Sequence, residues 1–241
     1  MRISTTTFQN AFGKYLKQVM DGDEIIVTKN ERGVAKLVSY NDPMTYVLKD
    51  GNSEYYIQKR VTYEEFLEIT KNTDARYELI DGEIFLMVSP THLHQIAVRE
   101  IFGQFYNYFK DKECSPLTSP FDVRLKNDSP TFEEDPNVVQ PDILVICDEE
   151  NIDENGRYHG VPSLVVEVLS PSTRSKDMLK KLSLYNLSGV QEYWVIDLHN
   201  RSIITYELAD SDVKCIDLVK LGNPLPSKLY EGLVVMTDKI R

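Results

Sequence analysis

Several features that would identify a class of protein are rare or missing in this chain of 241 residues. Its three cysteines, Cys114, Cys147 and Cys215, are far apart and odd in number. That pattern predicts reduced thiols and a cytoplasmic location, and it argues against a disulfide framework or a zinc site. No run of about 18 apolar residues occurs, so we expect no membrane span. The start, MRISTTTFQN, lacks the apolar core of a secretory signal.

The chain is acidic, with a net charge of −11, and the charge is unevenly distributed. Residues 1–50 carry seven basic and six acidic side chains, so the remainder carries 20 and 32. An acidic body does not attract nucleic acid in a non-specific way, and such contact needs a local groove, a metal ion or another domain. The length suits two small domains, or one large domain with an appendage.

Residues 3–41 have the pattern of a compact strand–helix–hairpin unit. Thr6 is the expected N-cap, Asp21-Gly22 is the expected stop, and EIIVTKN and GVAKLVSY are the two hairpin strands. One face of the helix collects Phe8, Phe12, Tyr15, Leu16 and Val19. A unit of about 40 residues has a small core, and such units often dimerise.

This segment resembles the prevent-host-death (Phd/YefM) antitoxin domain. The matching features are Gly13, Leu16, the strand Glu24–Thr28 and the run Arg32–Leu37. The resemblance implies a homodimer that binds operator DNA, with a toxin partner whose identity the sequence does not give. The alternative is a small α/β dimerisation module that does not bind DNA. We therefore predict an antitoxin-like module at 1–45, a linker with some local helix at 46–60 and a second domain at 61–241.

The second domain opens with a helix and a hairpin. Thr62 and Glu65 form a capping box, and Asp81-Gly82 is a strong two-residue hairpin signal. The hairpin puts Glu78 on a face that we interpret as solvated, whereas Glu83 is equally compatible with a solvated position and a role in a site. A helix near 91–110 carries an aromatic core stripe.

Strand patterns dominate after 119. The runs SPFDVRL, VVQPDILVI and PSLVVEVLS are followed by a helix and by EYWVIDL. The last strand–helix–strand unit has the form of a right-handed parallel crossover. The expected fold class is therefore α/β (α+β), with a central mixed sheet flanked by helices.

Two carboxylates interrupt these apolar strands. Glu167 is the one charge at the centre of PSLVVEVLS, and Asp142 stands at the start of DILVI. A buried charge is costly unless it is paired or ligated. Antiparallel neighbours would bring the two acids together, and a divalent cation would remove their repulsion. Their hard oxygen atoms suit Mg²⁺ or Mn²⁺, with Glu83 as a further candidate ligand.

A lysine follows on the next helix. Lys181 shares the apolar stripe of Met178, Leu182 and Tyr185, whereas Lys180 is turned about 100° away. Asp177 precedes Lys181 by one helical turn and could pair with it. We predict that Asp142, Glu167 and Lys181 are catalytic. The alternative is a buried ion-pair network with a structural role alone.

The region from about Val61 to Leu198 resembles the "putative restriction endonuclease" family of the PD-(D/E)XK nuclease superfamily. The matching pieces are YELIDGEI, HQ at 94–95, SPFDVRL, QPDILVI, VPSLVVEVLSPST, the Asp177 to Lys181 spacing and GVQEYWVID. The resemblance implies a restriction-endonuclease-like core, DNA as substrate, and a metal held by Asp142 and Glu167. His94, Gln140 and Asp177 are candidates for contact with substrate or with the catalytic residues.

The chain departs from the superfamily in one respect. The usual lysine position, two residues after the acid, is occupied here by Leu169, and Lys181 takes its place from the following helix. Three functions are compatible with the sequence. They are a Mg²⁺-dependent DNA endonuclease, a catalytically weak or inactive nuclease-fold DNA-binding regulator related to toxin–antitoxin systems, and a structural interaction protein.

Overall fold

The chain divides into two units, Met1–Lys59 and Arg60–Arg241. The computed structural model describes residues 1–20, 25–29, 32–37, 45–50, 53–58, 60–127, 129–169 and 176–240. The expected stop at Asp21-Gly22 lies outside these residues. Among the helices described, none is long and apolar enough to span a membrane.

The first unit has the predicted strand–helix–hairpin order, with the helix in two pieces. Its β1 pairs in parallel with β2, and β2 pairs antiparallel with β3. Ile3, Tyr15, Val19 and Ile25 form its apolar core. The elements are β1 (Arg2–Ser4), α1 (Thr5–Asn10), α2 (Phe12–Met20), β2 (Ile25–Lys29) and β3 (Arg32–Leu37).

The start of this helix differs from the prediction. Ser4, rather than Thr6, is the N-cap, and its side chain accepts a hydrogen bond from the backbone N–H of Thr7. The helix breaks at Ala11, which has a non-helical conformation. The predicted apolar face is therefore interrupted, and the side chain of Phe12 is 52% exposed.

The predicted linker contains a hairpin instead of local helix. Strands β4 (Thr45–Asp50) and β5 (Ser53–Gln58) pair antiparallel, with Asp50 opposite Ser53. TYVLKD and SEYYIQ each contain three consecutive apolar or aromatic residues, and a Gly-Asn pair between two such runs is typical of a hairpin. The polar composition of the segment concealed this pattern.

Within the described residues, the second unit combines a six-stranded, a four-stranded and a two-stranded sheet with three α-helices. The predicted capping box of Thr62 and Glu65 and the hairpin at Asp81-Gly82 are both present. Its elements are α3 (Tyr63–Thr70), β6 (Tyr77–Ile80), β7 (Glu83–Leu86), α4 (His92–Phe109), β8 (Ser115–Thr118), β9 (Val123–Leu125), β10 (Asn137–Val139), β11 (Ile143–Ile146), a 3₁₀ turn (Glu149–Asn151), β12 (Leu164–Val168), a π-helical segment (Lys176–Lys181), α5 (Leu182–Ser188), β13 (Glu192–Asp197), β14 (Ser202–Ala209), β15 (Asp212–Lys220), β16 (Pro224–Pro226) and β17 (Val234–Met236).

A six-stranded mixed sheet forms the centre of this unit, in the order β15-β14-β13-β12-β11-β8. Strands β12 and β13 are parallel, as the crossover pattern predicts, and β11 is antiparallel to β12. A smaller sheet has the order β7-β6-β10-β9. The mixed sheet and its helices confirm the predicted fold class.

Apolar side chains cover both faces of the central sheet. On one face, α4 packs against alternate residues such as Val166 and Trp194, and Phe105 contacts Trp194 edge to face. On the other, α5 and the smaller sheet pack against Val165 and Val195. Full burial of each large apolar side chain contributes about 1.5–3 kcal/mol. Glu167 belongs by alternation to the second face.

A disulfide joins Cys114 to Cys147. The pairing of β8 with β11 sets Ser115 opposite Ile146, so the two cysteines are the next residues across the ladder. The prediction of reduced thiols is therefore wrong for this pair, because spacing along the chain does not reveal strand register. Cys215 is a free thiol, and the cytoplasmic location stays a prediction.

Candidate active site

Strand register brings Asp142 and Glu167 together. Ile143 pairs with Val166, so the preceding position on β11 faces the following position on β12. Residues directly opposite in an antiparallel pair point to the same face of the sheet. The backbone N–H of Val168 donates to Oδ2 of Asp142 at 2.8 Å, which fixes the first carboxylate against the strand that carries the second.

Glu167 is buried, with 4% of its surface exposed. Its Oε1 accepts hydrogen bonds from Nζ of Lys181 at 2.6 Å and from the hydroxyl of Tyr185 at 2.8 Å. A carboxylate in such surroundings is tolerated only when charge and hydrogen bonds compensate its lost hydration. Lys181 ends the π-helical segment after β12, and Tyr185 lies one turn later in α5.

A second buried glutamate contacts the same lysine. Glu78 is fully buried on β6, and its Oε1 lies 2.9 Å from Nζ of Lys181. The same oxygen accepts the backbone N–H of Gln140 at 3.0 Å. The interpretation of Glu78 as a solvated side chain is wrong, because the hairpin face that carries it packs on the core through Ile80 and Phe85.

The two adjacent lysines have different environments, as their helical phase predicts. Lys181 is 2% exposed, whereas Lys180 is 32% exposed and pairs with Oε2 of Glu83 at 2.6 Å. Glu83 is itself 37% exposed, so the structure places it with Lys180 and not with the buried acids. The side chain of Asp177 lies outside the described residues.

His94 contacts the other end of the site. It follows the N-cap Thr91 of α4 and is largely buried. Its Nε2 lies 3.1 Å from Oδ2 of Asp142. An ionised carboxylate only accepts hydrogen bonds, so Nε2 is the protonated nitrogen. Nδ1 is buried and has no partner among the described residues.

Gln140 links the site to Asp122, which directly precedes β9. Its side-chain Nε2 donates to Oδ1 of Asp122 at 2.8 Å, while its backbone N–H holds Glu78. Its Oε1 is buried and, within the described part of the chain, accepts no hydrogen bond. The backbone of Gln140 therefore positions Glu78, and its side-chain Oε1 can accept a further hydrogen bond.

The site holds more negative than positive charge. Glu78 and Glu167 share a single buried lysine, and Asp142 adds a third carboxylate beside Glu167. Burial, followed by the charge of Glu167, raises the pKa of Tyr185 well above its usual 10.0. Tyr185 is therefore neutral near pH 7 and keeps the proton that it donates to Glu167. Sequence reasoning missed this role, although the tyrosine lies on the same helical stripe as Lys181.

The donor set suits a magnesium ion. The described residues contain no ready group of three or more His, Cys, Asp or Glu side chains for a metal. Mg²⁺ usually keeps several waters and takes one or two carboxylates together with substrate phosphate oxygens. Both side-chain hydrogen bonds of Asp142 within the described residues go to Oδ2, which leaves Oδ1 for such a ligand beside Glu167.

Comparisons with known proteins identify the family of the chain. Residues 63–234 match the family model Uma2, described as "Putative restriction endonuclease". The chain is 26% identical over 174 residues to "Uncharacterized protein slr1290" of Synechocystis sp. (strain ATCC 27184 / PCC 6803 / Kazusa), covering 66% of this chain and 87% of the other.

A solved structure shows the same fold. The crystal structure of a "putative nuclease belonging to DUF820" from Anabaena variabilis ATCC 29413 superposes with a TM-score of 0.60 at 18% identity. The match covers 75% of this chain and 97% of the other. The second unit thus has a restriction-endonuclease-like fold. Because the family model spans more than half of the sequence, the chain belongs to the Uma2 family of "putative restriction endonucleases".

Proposed function

We propose that the second unit is a Mg²⁺-dependent endonuclease that hydrolyses phosphodiester bonds in DNA. The observation that carries this proposal is that Asp142, directly before β11, lies opposite Glu167 on β12, with Lys181 bonded to Oε1 of Glu167. Family membership supports a nuclease, and the metal and the DNA substrate are what the proposal adds.

Asp142 and Glu167 are the residues that would hold Mg²⁺ or Mn²⁺. The bound ion would lower the pKa of a water molecule and offset charge on the phosphate. Asp142 is oriented for this role by the backbone N–H of Val168 and by His94. Because each of these contacts uses Oδ2, they fix the carboxylate without occupying Oδ1.

Lys181 is the proposed catalytic cation. Its ammonium compensates the charge of Glu167 and would place positive charge beside the attacking water and the scissile phosphate. Glu78 and Tyr185 are positioning residues, since Glu78 anchors Lys181 and Tyr185 anchors Glu167. Preorganised donors of this kind need no rearrangement when charge develops in the transition state.

The displaced lysine is compatible with this chemistry. Leu169 occupies the usual lysine position and packs in the apolar layer. Lys181 reaches Oε1 of Glu167 from the helical segment instead, at 2.6 Å. The ammonium is therefore delivered to the acid from a different element of the chain.

A cleavage assay tests the proposal. Supercoiled and linear DNA would be incubated with the full chain in Mg²⁺, in Mn²⁺ and in EDTA, beside Asp142→Asn and Glu167→Gln. We expect metal-dependent nicking or cutting by the wild type and a loss of at least 100-fold in each variant, the scale of removing one electrostatic catalytic group. Equal cleavage by all three proteins would contradict the proposal.

The second candidate function is a nuclease-fold DNA-binding regulator related to toxin–antitoxin systems. The observations that bear on it lie in residues 1–59. Phe12 and Val34 of this unit are 52% and 57% exposed, and a second copy of the chain is the partner that would cover them in a dimer. A dimeric antitoxin-like module that binds operator DNA would leave these residues covered. Sedimentation of the full chain, beside Phe12→Glu and Val34→Glu, tests this. A wild-type monomer would count against it.

A further inference from the structure

A polar cavity of about 630 Å³ lies beside β9, away from the residues of the candidate active site. Its walls come from β9 and the segment after it, from the loop at 159–161 and from the end of α5. Three lining residues, Arg124, Lys126 and His159, carry basic groups, and none of the lining residues that the structure describes is acidic. In a chain with a net charge of −11, such a lining is unusual.

Arg124 is held rigidly at the edge of this cavity. Its guanidinium lies 4.0 Å from the ring centroid of Phe132 and 4.6 Å from that of Tyr63. Stacking on aromatic faces orients the planar guanidinium and leaves its N–H groups for other partners. The side chain is only partly exposed, so water does not fully solvate these N–H groups.

The guanidinium has no anionic partner among the described residues. Its NH1 lies 3.3 Å from Nε2 of His159, and that nitrogen also lies 2.8 Å from Oδ2 of Asp153. Hydrogen bonds from the backbone N–H of Arg157 and from His159 lower the pKa of Asp153 to about 2. Asp153 is therefore an ionised acceptor, His159 Nε2 must donate to it, and Arg124 faces a donor instead of an acceptor.

Besides NH1, Nε of Arg124 also lacks an acceptor among the described residues. This atom is buried and makes no hydrogen bond within the described ranges. A buried unpaired donor costs about 1–3 kcal/mol, and more when it is charged. An unsatisfied N–H on a fixed, charged guanidinium suits an oxygen of a phosphate or a carboxylate.

The cavity is connected to the candidate active site by two elements. Helix α5 begins directly after Lys181 and is seven residues long, and its last residue, Ser188, lines the cavity. At ~1.5 Å per residue this is about 10 Å, or roughly three nucleotides at ~3.4 Å each along one strand. On the other side, Asp122, which bonds Gln140 of the site, precedes Arg124 by two residues.

We propose that this cavity binds a backbone phosphate of the nucleic-acid substrate, with Arg124 as its principal ligand and Lys126 as a second cation. The inference rests on the proposed nuclease function and extends it to how the substrate is held. An acidic body repels a polyanion, and the cavity supplies the local cationic contact that binding then requires.

Binding is measured separately from cleavage, by fluorescence anisotropy of a labelled duplex in EDTA and in Ca²⁺, across a series of salt concentrations. We expect Arg124→Gln and Lys126→Gln each to weaken binding about tenfold and to reduce the salt slope by about 1, as for one lost phosphate contact. Lys214→Gln is the matched control. Lys214, on β15, is 40% exposed and pairs with Asp210 and Asp212, and its variant should bind like the wild type.

The outcomes separate this inference from the proposed chemistry. Weaker binding by both cavity variants supports it even if no protein cleaves DNA. Wild-type affinity and slope in both variants, or no binding by the wild type, overturns it. Lys126→Gln keeps the test valid if Arg124→Gln fails a thermal-melting check of folding, because Lys126 is exposed.

A competition arm distinguishes DNA from a small anion. Inorganic phosphate is added at the same concentration of phosphate groups as an unlabelled duplex competitor. We expect the duplex to displace the label and the inorganic phosphate to leave it bound. Equal displacement by the two would identify a small-anion site and would contradict a nucleic-acid site.

Discussion

Nζ of Lys181 lies 2.6 Å from Oε1 of Glu167, although the two residues are 14 positions apart in the chain. The same nitrogen lies 2.9 Å from Oε1 of Glu78. One buried ammonium therefore joins the central sheet, the smaller sheet and the helical segment. The residue proposed for catalysis is also part of the packing of the unit, and substitutions there act on stability and activity together.

Removing this ammonium should destabilise the fold. We expect Lys181→Met to lower the free energy of unfolding by about 3–5 kcal/mol, because two buried carboxylates lose their counter-charge. Lys180→Met is the matched control, and since its pair with Glu83 is exposed we expect a change of about 0–1 kcal/mol. Urea denaturation at pH 7 measures both.

A double variant sharpens this test. Adding Glu78→Gln to Lys181→Met removes one of the two uncompensated charges and should recover part of the lost stability. Additive losses in the double variant would show that Glu78 and Lys181 are not energetically coupled.

Deleting the hydroxyl of Tyr185 should weaken the hold on Glu167. A hydrogen bond to a charged group contributes about 1.5–3 kcal/mol, so we expect Tyr185→Phe to lower stability by that amount and cleavage roughly tenfold. Tyr206→Phe is the control, since its ring stacks on Tyr193 and the hydroxyl contacts none of these groups. Similar losses of stability and cleavage in both variants would contradict a specific role of Tyr185 in positioning Glu167.

Stability should fall at alkaline pH. Burial first, then Glu167, raises the pKa of Tyr185 well above 10.0 in the folded chain. The unfolded chain releases this proton near pH 10 while the folded chain keeps it, so stability is intact below that pH and declines above it. The decline is up to about 1.4 kcal/mol per pH unit for each such tyrosine.

The same titration with Tyr185→Phe isolates this residue. Burial also raises the pKa of Tyr158 and Tyr230, so the variant should keep an alkaline decline with a shallower slope. Denaturation between pH 7 and 11 gives both slopes, and identical slopes would contradict the assignment.

The Cys114–Cys147 bond should stabilise the oxidised chain. It closes a loop with a sequence separation of 33, for which loop-closure entropy gives about 3–4 kcal/mol. We expect a reducing agent to lower the unfolding midpoint of the wild type and to leave the Cys114→Ser/Cys147→Ser variant unchanged. Cys215→Ser, which removes the free thiol, is the control.

The sequence predicted the fold where local patterns are strong. The hairpin at Asp81-Gly82, the helix that carries His94 and the parallel crossover after Glu167 were all visible as periodicity and turn chemistry. Helical phase alone distinguished Lys181 from Lys180, because burial on a helix repeats with a fixed angle.

The rest depended on how separate elements pair. Glu78 lies far from Lys181 in sequence, and only the packing of the smaller sheet on the core makes them partners. The disulfide depended on the register of β8 against β11 in the same way. The hairpin in the predicted linker was missed for a different reason, because polar residues flank the short apolar run of each strand.

The most direct test of the central claim is single-turnover cleavage of a labelled duplex as the Mg²⁺ concentration is varied. The wild type and Lys214→Gln should show the same saturable dependence on Mg²⁺, whereas Glu167→Gln should lose at least 100-fold in rate while still binding the duplex. A Glu167→Gln variant that cleaves at the wild-type rate, or wild-type cleavage that is equal in EDTA, would contradict the account.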